Sequence, residues 1–191
     1  MTTGRRGARR SETARVAILA ATVRLFATRG YDHLSIEGIA AEAGVAKQTI
    51  YRWWPSKGPL IAECMLEGML LPGRFVPRDT GDVRADLAAW LDAIFGFLID
   101  PTGESIFRSL ISAAAENVEV GVRLRDSLGA ASSLVERLGR GVEAGQIPPD
   151  APLQEVSEAL VGAVIVRALS RTPLAPGDPE RLVDAVIGVH R

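Results

Sequence analysis

The stretch AGVAKQTIYRWWPSK, residues 43–57, decides how the chain is read. Only 5% of the residues are aromatic, yet Tyr51, Trp53 and Trp54 fall within four positions. They are interleaved with Lys47, Gln48, Thr49 and Arg52 and closed by Pro55, Ser56 and Lys57. A core segment has no use for those cations, and a solvated face has no use for those rings. Helical spacing separates the two sets. Ile50 and Trp54, four apart, share one face and predict a buried seam on a helix over 46–54, while Lys47, Gln48, Thr49, Tyr51 and Arg52 spread over the other faces. Trp53 is left open between core edge and an outer flank. Pro55 ends the helix, because proline disfavours helix at the residue before it.

Working outward, SIEGIAAEAG predicts a second short helix over 35–43 with Ile36, Ile39 and Ala40 facing inward, stopped by Gly44. Ahead of it, Val16, Leu19, Ala20, Val23, Phe26 and Ala27 recur at the spacing of one buried face, with Ser11 as the expected N-cap and Gly30 as the stop. After it, Ser56 caps a fourth helix with Pro59 in its first turn, running to Leu71 before Pro72 and Gly73 break it. Residues 82–99 carry Val83, Leu87, Leu91, Ile94 and Leu98 on one stripe, and further helices are predicted over 104–116, over 119–144 with interruptions at Gly129, Gly139 and Gly141, and over 153–170 and 179–190. No segment alternates with period two, so the expected fold is all-α, about nine helices. The expected organisation is a basic flexible arm over 1–11, a three-helix unit over 12–58 and a helical bundle over 59–191.

At 191 residues and 47% apolar content the chain is long enough for a sizeable core. Cys64 stands alone and cannot form an internal disulfide. No apolar run reaches the ~18–20 residues of a membrane span. The basic N-terminus lacks the following apolar core of ~7–15 residues that a secretory signal needs. These readings predict a soluble cytoplasmic protein. Its net charge of −1 hides an asymmetry. Residues 1–60 hold ten basic against four acidic side chains, and the remainder twelve against nineteen. A positive end on an acidic chain points to a polyanion, although a solubilising tail would look alike by charge alone.

Two short helices joined by a tight glycine turn form a helix-turn-helix, whose second helix enters the DNA major groove. The outer side of residues 46–53 offers the donor types that meet base edges and phosphates. Gln48 suits adenine, and Lys47 or Arg52 suits guanine, or all three hold phosphate. Tyr51 faces outward, where its ring packs on a sugar and its hydroxyl meets a phosphate. Lys57 adds its charge to the positive end of the fourth helix, a phosphate clamp. Arg9 and Arg10 of the N-terminal RRGARR follow phosphates or enter a minor groove.

The segment 30–57, GYDHLSIEGIAAEAGVAKQTIYRWWPSK, resembles the DNA-binding signature of the tetracycline-repressor (TetR) family of bacterial transcriptional regulators. The G-Y opening, the I-A-x-x-A-G-V core, the T-I-Y of the third helix and the P-S-K after it sit at that family's spacing. The resemblance implies a dimer of mostly nine-helix chains, three helices for DNA and the others for a ligand pocket and the dimer interface. It implies that Ser35 caps the second helix and touches phosphate, that Lys47, Gln48 and Thr49 read bases, and that Tyr51 and Lys57 hold phosphates. One departure is Gly38, where many relatives carry an acid that completes a capping box; an interior glycine weakens the helix by ~1 kcal/mol.

A regulator of that kind takes a small-molecule input, expected here to be apolar or weakly amphipathic and received in the acidic bundle. Trp90, Phe95, Phe97 and Phe107 are the expected apolar lining, with Arg108 and Asn117 (or Glu116) to orient the ligand and Met65 and Met69 linking pocket to DNA unit. Aromatic stripes at helical spacing also serve as plain core, and a DNA-binding protein without an effector fits the same pattern. The last two helices are apolar on two sides. Val156, Leu160 and Val164 with Leu182 and Val186 form the expected four-helix dimer seam, which would match a palindromic operator. Catalytic motifs are missing: no G-x-S-x-G, H-E-x-x-H or phosphate-loop pattern occurs, and only His33 and His190 are present. No enzyme activity, cofactor or metal is expected.

Overall fold

The computed structural model of the chain describes residues 3–71, 75–129, 132–171, 173 and 175–188, with side chains from Glu12 onward. Ten helices and no strand occur among these residues: α1 (Thr3–Arg29), α2 (Ile36–Ala43), α3 (Lys47–Tyr51), α4 (Lys57–Leu66), α5 (Val83–Ile99), α6 (Pro101–Glu116), α7 (Val118–Ser127), α8 (Ser133–Glu143), α9 (Leu153–Ser170) and α10 (Asp178–Ile187). The chain divides into two compact units, residues 1–71 with 109–123, and residues 72–108 with 124–191.

Among the boundaries that depart from the sequence reading, four have a local reason. α1 begins at Thr3 rather than after an arm ending at residue 11. No proline interrupts this stretch, and extending a helix that is already nucleated by packing costs little per residue. α4 stops at Leu66, with Glu67 and Gly68 turning the chain before Leu71. α6 starts three residues earlier than expected. Pro101 occupies its first position, and the Asp100 carboxylate accepts a hydrogen bond from the Gly103 N–H at 2.8 Å. The helix expected over 119–144 is two helices, which raises the count from nine to ten. Gly129 adopts φ +79°, and a Cβ there would lie 3.0 Å from the Phe75 carbonyl oxygen, so the chain reverses at a residue only glycine fills comfortably.

In the first unit α1 packs against α2 and α4, and α2 against α3. The seam between them is built from Ile18, Leu25, Phe26, Ile36, Ile39, Ile50, Trp54, Leu60 and Ile61, all buried. Each such aliphatic side chain stabilises by about 1.5–3 kcal/mol when withdrawn from water. Leu110, Ala113 and Val120, from the later half of α6 and the start of α7, are buried as well. Cys64 is also buried, and its thiol donates toward the Leu19 carbonyl at 3.9 Å. Burial pushes that thiol up to about 12, so a thiolate is not available for redox chemistry at neutral pH.

In the second unit α5 lies against α8, α9 and α10. Leu87, Leu91 and Ile94 of α5, Leu134 and Leu138 of α8, Leu160 and Val164 of α9 and Val183 of α10 are withdrawn from solvent. One charged pair lies within this core. The Arg137 Nε donates to Asp86 at 2.7 Å, and both residues are almost fully buried. Arg137 Nη2 lies 2.6 Å from the same carboxylate oxygen without an aligned hydrogen bond of its own. Thr80 donates its hydroxyl and its backbone N–H to Asp86 at 2.7 and 3.0 Å. Burial alone would raise the Asp86 carboxyl, but these donations and Arg137 outweigh it and hold the group below the usual range.

Candidate nucleic-acid interface

The interface begins at the N-terminus of α2. Ser35 adopts an extended backbone and its hydroxyl accepts the Gly38 N–H at 3.1 Å, so the cap forms although residue 38 is not acidic. The negative charge that suits this helix end comes from Glu37 in the first turn. α2 closes at Gly44, with φ +66°, and Val45 donates back to the Ala40 carbonyl at 3.0 Å. That left-handed residue is what lets α3 start three positions later.

α3 is short, five residues from Lys47 to Tyr51, and its N-cap Ala46 has no side chain to satisfy the helix end. Ile50 is fully buried beneath it and Trp54 nearly so. Lys47, Gln48 and Arg52 are exposed, Tyr51 is 50% exposed and Thr49 is half-buried. The division expected from the helical period therefore holds for the rings and the polar groups alike. Trp53 lies on the border, 38% exposed and stacked on Trp54 with ring centroids 5.9 Å apart.

Several contacts fix α3 on its support. The Trp54 indole N–H donates to Glu63 at 2.5 Å, and Arg15 of α1 holds the other oxygen of Glu63 through Nε at 2.7 Å. Arg15 also reaches Glu67 at 2.6 Å, and the two carboxylates hold the guanidinium well above its ordinary value. Lys47 pairs with Glu37 at 2.6 Å, which raises the lysine and lowers the glutamate. Arg24 pairs with Glu42 at 3.1 Å. Both acids of α2 are thus occupied by cations.

Lys57 is half-buried. Its ammonium donates to the Tyr31 carbonyl at 3.1 Å and lies 3.8 Å from the Tyr31 ring centre. The Tyr31 hydroxyl donates to Glu116 at 3.0 Å, and burial followed by the Glu116 contact pushes the phenol up to about 12. Asp32 accepts from the Ser112 hydroxyl at 3.1 Å. The end of α6 is therefore tied to the turn between α1 and α2. The sequence reading missed Arg15, Tyr31, Glu37, Glu63, Glu67 and Glu116 as partners. Glu63 and Glu67, four apart on a largely apolar helix, were the one legible sign that a cation faces α4.

The remaining expected site residues divide between the two units. Arg9 and Arg10 lie on α1, with side chains outside the described residues. Met65 is buried, Met69 is 37% exposed, and Asn117 caps α7 by accepting the Val120 N–H at 3.2 Å; all three belong to the first unit. Trp90, Phe95, Phe97, Phe107 and Arg108 belong to the second. There Trp90 donates to the Phe75 carbonyl at 3.0 Å, Phe95 lies under the Arg167 guanidinium at 5.4 Å, and Phe107 is fully buried. Phe97 is half-buried beside Phe75, and Arg108 reaches Glu104 at 3.4 Å. Grooves lined by described residues also occur elsewhere in this unit. One of about 190 Å³ is lined by Leu98, Ile99, Glu104, Arg167, Ala168, Arg171 and Pro173. Another, about 410 Å³, lies between α5 and α10 over Ala85, Ala88, Ala89 and Val183, walled by Arg84, Asp92, Glu180 and Asp184.

Of the expected dimer seam, Val156, Leu160 and Val164 are turned into the chain's own core. Leu182 and Val186 are half-buried. The apolar surface of α9 that remains open carries Val166 and Leu169, 63% and 53% exposed. A helix apolar on both sides does not announce which side its own fold uses, and here the stripe of Val156, Leu160 and Val164 is the one the second unit buries.

Comparison with known proteins agrees with this geometry. Residues 18–64 match the family described as bacterial regulatory proteins, tetR family, and residues 77–186 match the tetracyclin repressor-like C-terminal domain. An uncharacterised HTH-type transcriptional regulator of Mycobacterium bovis is 30% identical over 172 residues, covering 89% of this chain and 84% of that one. The DNA-binding transcriptional repressor TetR of Mycobacteroides abscessus is 29% identical, over 93% and 94% of the two chains. Among solved structures, the TetR-family transcription regulator SCO0332 superposes with a TM-score of 0.63 at 34% identity, over 93% and 99% of the chains. These relatives are transcriptional regulators, not enzymes. No helix among the described residues is long and apolar enough to cross a membrane.

Proposed function

The chain belongs to the TetR family of DNA-binding transcriptional regulators, and on that premise we propose that it is a dimeric cytoplasmic repressor released from a palindromic operator by a small effector. The observation that carries this reading is the outward face of α3, where exposed Lys47, Gln48, Tyr51 and Arg52 surround a helix anchored by buried Ile50 and Trp54. In the proposed complex Lys47, Gln48 and Thr49 meet base edges, while Ser35, Tyr51, Arg52 and Lys57 meet phosphates and Arg9 and Arg10 extend the phosphate contact along α1.

The dimer is proposed to close through α9 and α10. Ala159, Gly162, Val166 and Leu169 form one open stripe on α9, and an added Cβ at Gly162 would meet nothing within 4 Å. Half-buried Leu182 and Val186 of α10 extend it. Small residues within such a stripe let two helices approach closely, and a two-fold pair of readers suits a palindrome.

The effector is proposed to enter the second unit. The groove between α5 and α10, with an alanine floor and charged walls, falls within the roughly 300–1,000 Å³ of small-molecule sites and suits an amphipathic molecule. The aromatic set Trp90, Phe95, Phe97 and Phe107 is the alternative lining. α6 has its first half in one unit and its second half in the other, ending at Glu116, which holds Tyr31. An effector that favours a displaced α6 would lower operator affinity by its differential binding and no more, typically about 5- to 150-fold.

Selection of bound fragments from random and native DNA libraries tests the reading, followed by affinity measured against salt. A palindrome should be enriched. Gln48→Ala should lower preference for the operator, while Tyr51→Phe should weaken operator and non-operator duplexes alike. Failure to enrich any sequence would overturn the assignment of α3 as the reader.

A further inference from the structure

We propose that the Lys47–Glu37 pair is a specificity filter, in which Glu37 withholds Lys47 from DNA phosphates and holds its ammonium for a guanine of a G·C base pair. The inference rests on α3 being the reader, as proposed above, and deepens it by assigning a role to a residue of α2.

Lys47 occupies the first position of α3, the positive end of a helix, where a cation is electrostatically out of place. Nothing local corrects this, because Ala46 makes no side-chain cap and the first turn of α3 holds no acid. The correction comes from α2. The turn at Gly44 brings Glu37 within 2.6 Å of the Lys47 ammonium across ten residues of sequence. Both side chains stay at least half exposed, at 50% and 60%, so the pair lies on the surface that DNA would meet.

An ammonium carries three protons, and Glu37 takes one. The other two remain to be given to acceptors, and the O6 and N7 atoms of guanine are the pair of acceptors a lysine reads. A phosphate is a poorer partner for this ammonium than for a free one. Each phosphate drawn to Lys47 also approaches the Glu37 carboxylate, and the two negative charges repel. Arg52 has no ion pair of this kind described and stays a cation for the backbone. Glu42, the other acid of α2, is held by Arg24 and does not compete for Lys47. The pair therefore removes one charge from sequence-independent attraction while leaving two donors for base reading. Specificity is a difference between two affinities, and lowering the non-operator term raises it as surely as adding a contact.

Glu37→Gln is the test, since it keeps shape and hydrogen bonding and removes the charge at an exposed position. Wild type, Glu37→Gln and Lys47→Met are measured on the selected operator, on operators substituted at each base pair, and on a non-operator duplex, across salt concentrations. Melting temperatures check that all three fold. Glu37→Gln should bind the non-operator duplex about 3- to 10-fold more tightly, with a log–log salt slope steeper by about one, because one more cation now displaces a counterion. Preference for one G·C pair in each half-site should fall about tenfold in Glu37→Gln and in Lys47→Met. Lys47→Met, which leaves the Glu37 charge unpaired, should bind the non-operator duplex no more tightly than wild type, and tighter binding would overturn the filter. Equal shifts on operator and non-operator DNA in Glu37→Gln, or an unchanged salt slope, would overturn the filter while leaving α3 as reader. If wild type selects no sequence at all, the reader and the filter fall together.

Discussion

Tyr31 shows how one side chain can join two parts of a fold. Its ring lies under the Lys57 ammonium, its carbonyl accepts from the same group, and its hydroxyl donates to Glu116. Removing the hydroxyl alone, in Tyr31→Phe, is expected to cost about 1 kcal/mol, the net worth of one such hydrogen bond, and to lower the melting temperature by about 2–4 °C. The pH dependence has a definite sign. The neutral phenol is the form the fold favours, so its contribution is whole below pH 10, the ordinary tyrosine value, and is lost as pH rises toward 12. Thermal melts at pH 9 and pH 11 should show wild type losing more stability than Tyr31→Phe over that interval. Equal losses would mean the hydroxyl is not held as described.

Among the elements, the joint between α4 and the corner of α6 and α7 depends on the absence of a side chain. A Cβ on Gly58, in the first turn of α4, would fall 2.0 Å from Asn117 Nδ2 and 2.5 Å from its Cγ. Asn117 is not free to yield, because its oxygen caps α7 through the Val120 N–H. Gly58→Ala is expected to destabilise by about 1–3 kcal/mol from overpacking. Asn117→Ala alone should cost about 1 kcal/mol, the value of a lost cap. The double variant should be more stable than Gly58→Ala, since removing the amide vacates the space, and a denaturant-unfolding cycle over the four proteins reads this coupling directly. Additive effects would show that the two residues do not meet.

At the scale of the whole molecule the decisive question is which surfaces the fold leaves open. Leu160 and Val164 are consumed by the second unit's own core, whereas Val166 and Leu169 on the same helix are presented to solvent. If α9 pairs with a second copy, Val166→Glu or Leu169→Glu should leave the fold intact and convert the dimer to monomer in sedimentation equilibrium. Operator affinity should fall with it, because a single reader forfeits the second half-site. A variant that stays dimeric would place the interface elsewhere.

The sequence alone determined that the chain is all-helical, that residues 43–57 present polar groups on one side and Ile50 and Trp54 on the other, and that the family signature spans that segment. These features depend on helical period, glycine turns and proline stops, which act over a few residues. It also carried enough to set Lys47 and Tyr51 on the outer face. What it left undecided depended on partners distant along the chain. Arg15 meets Glu63 across 48 positions, Tyr31 meets Glu116 across 85, and Arg137 meets Asp86 across 51. No local spacing encodes such pairs. The same holds for the two faces of α9: both are apolar, and only the packing of α5, α8 and α10 against the helix decided which side is core and which stays exposed.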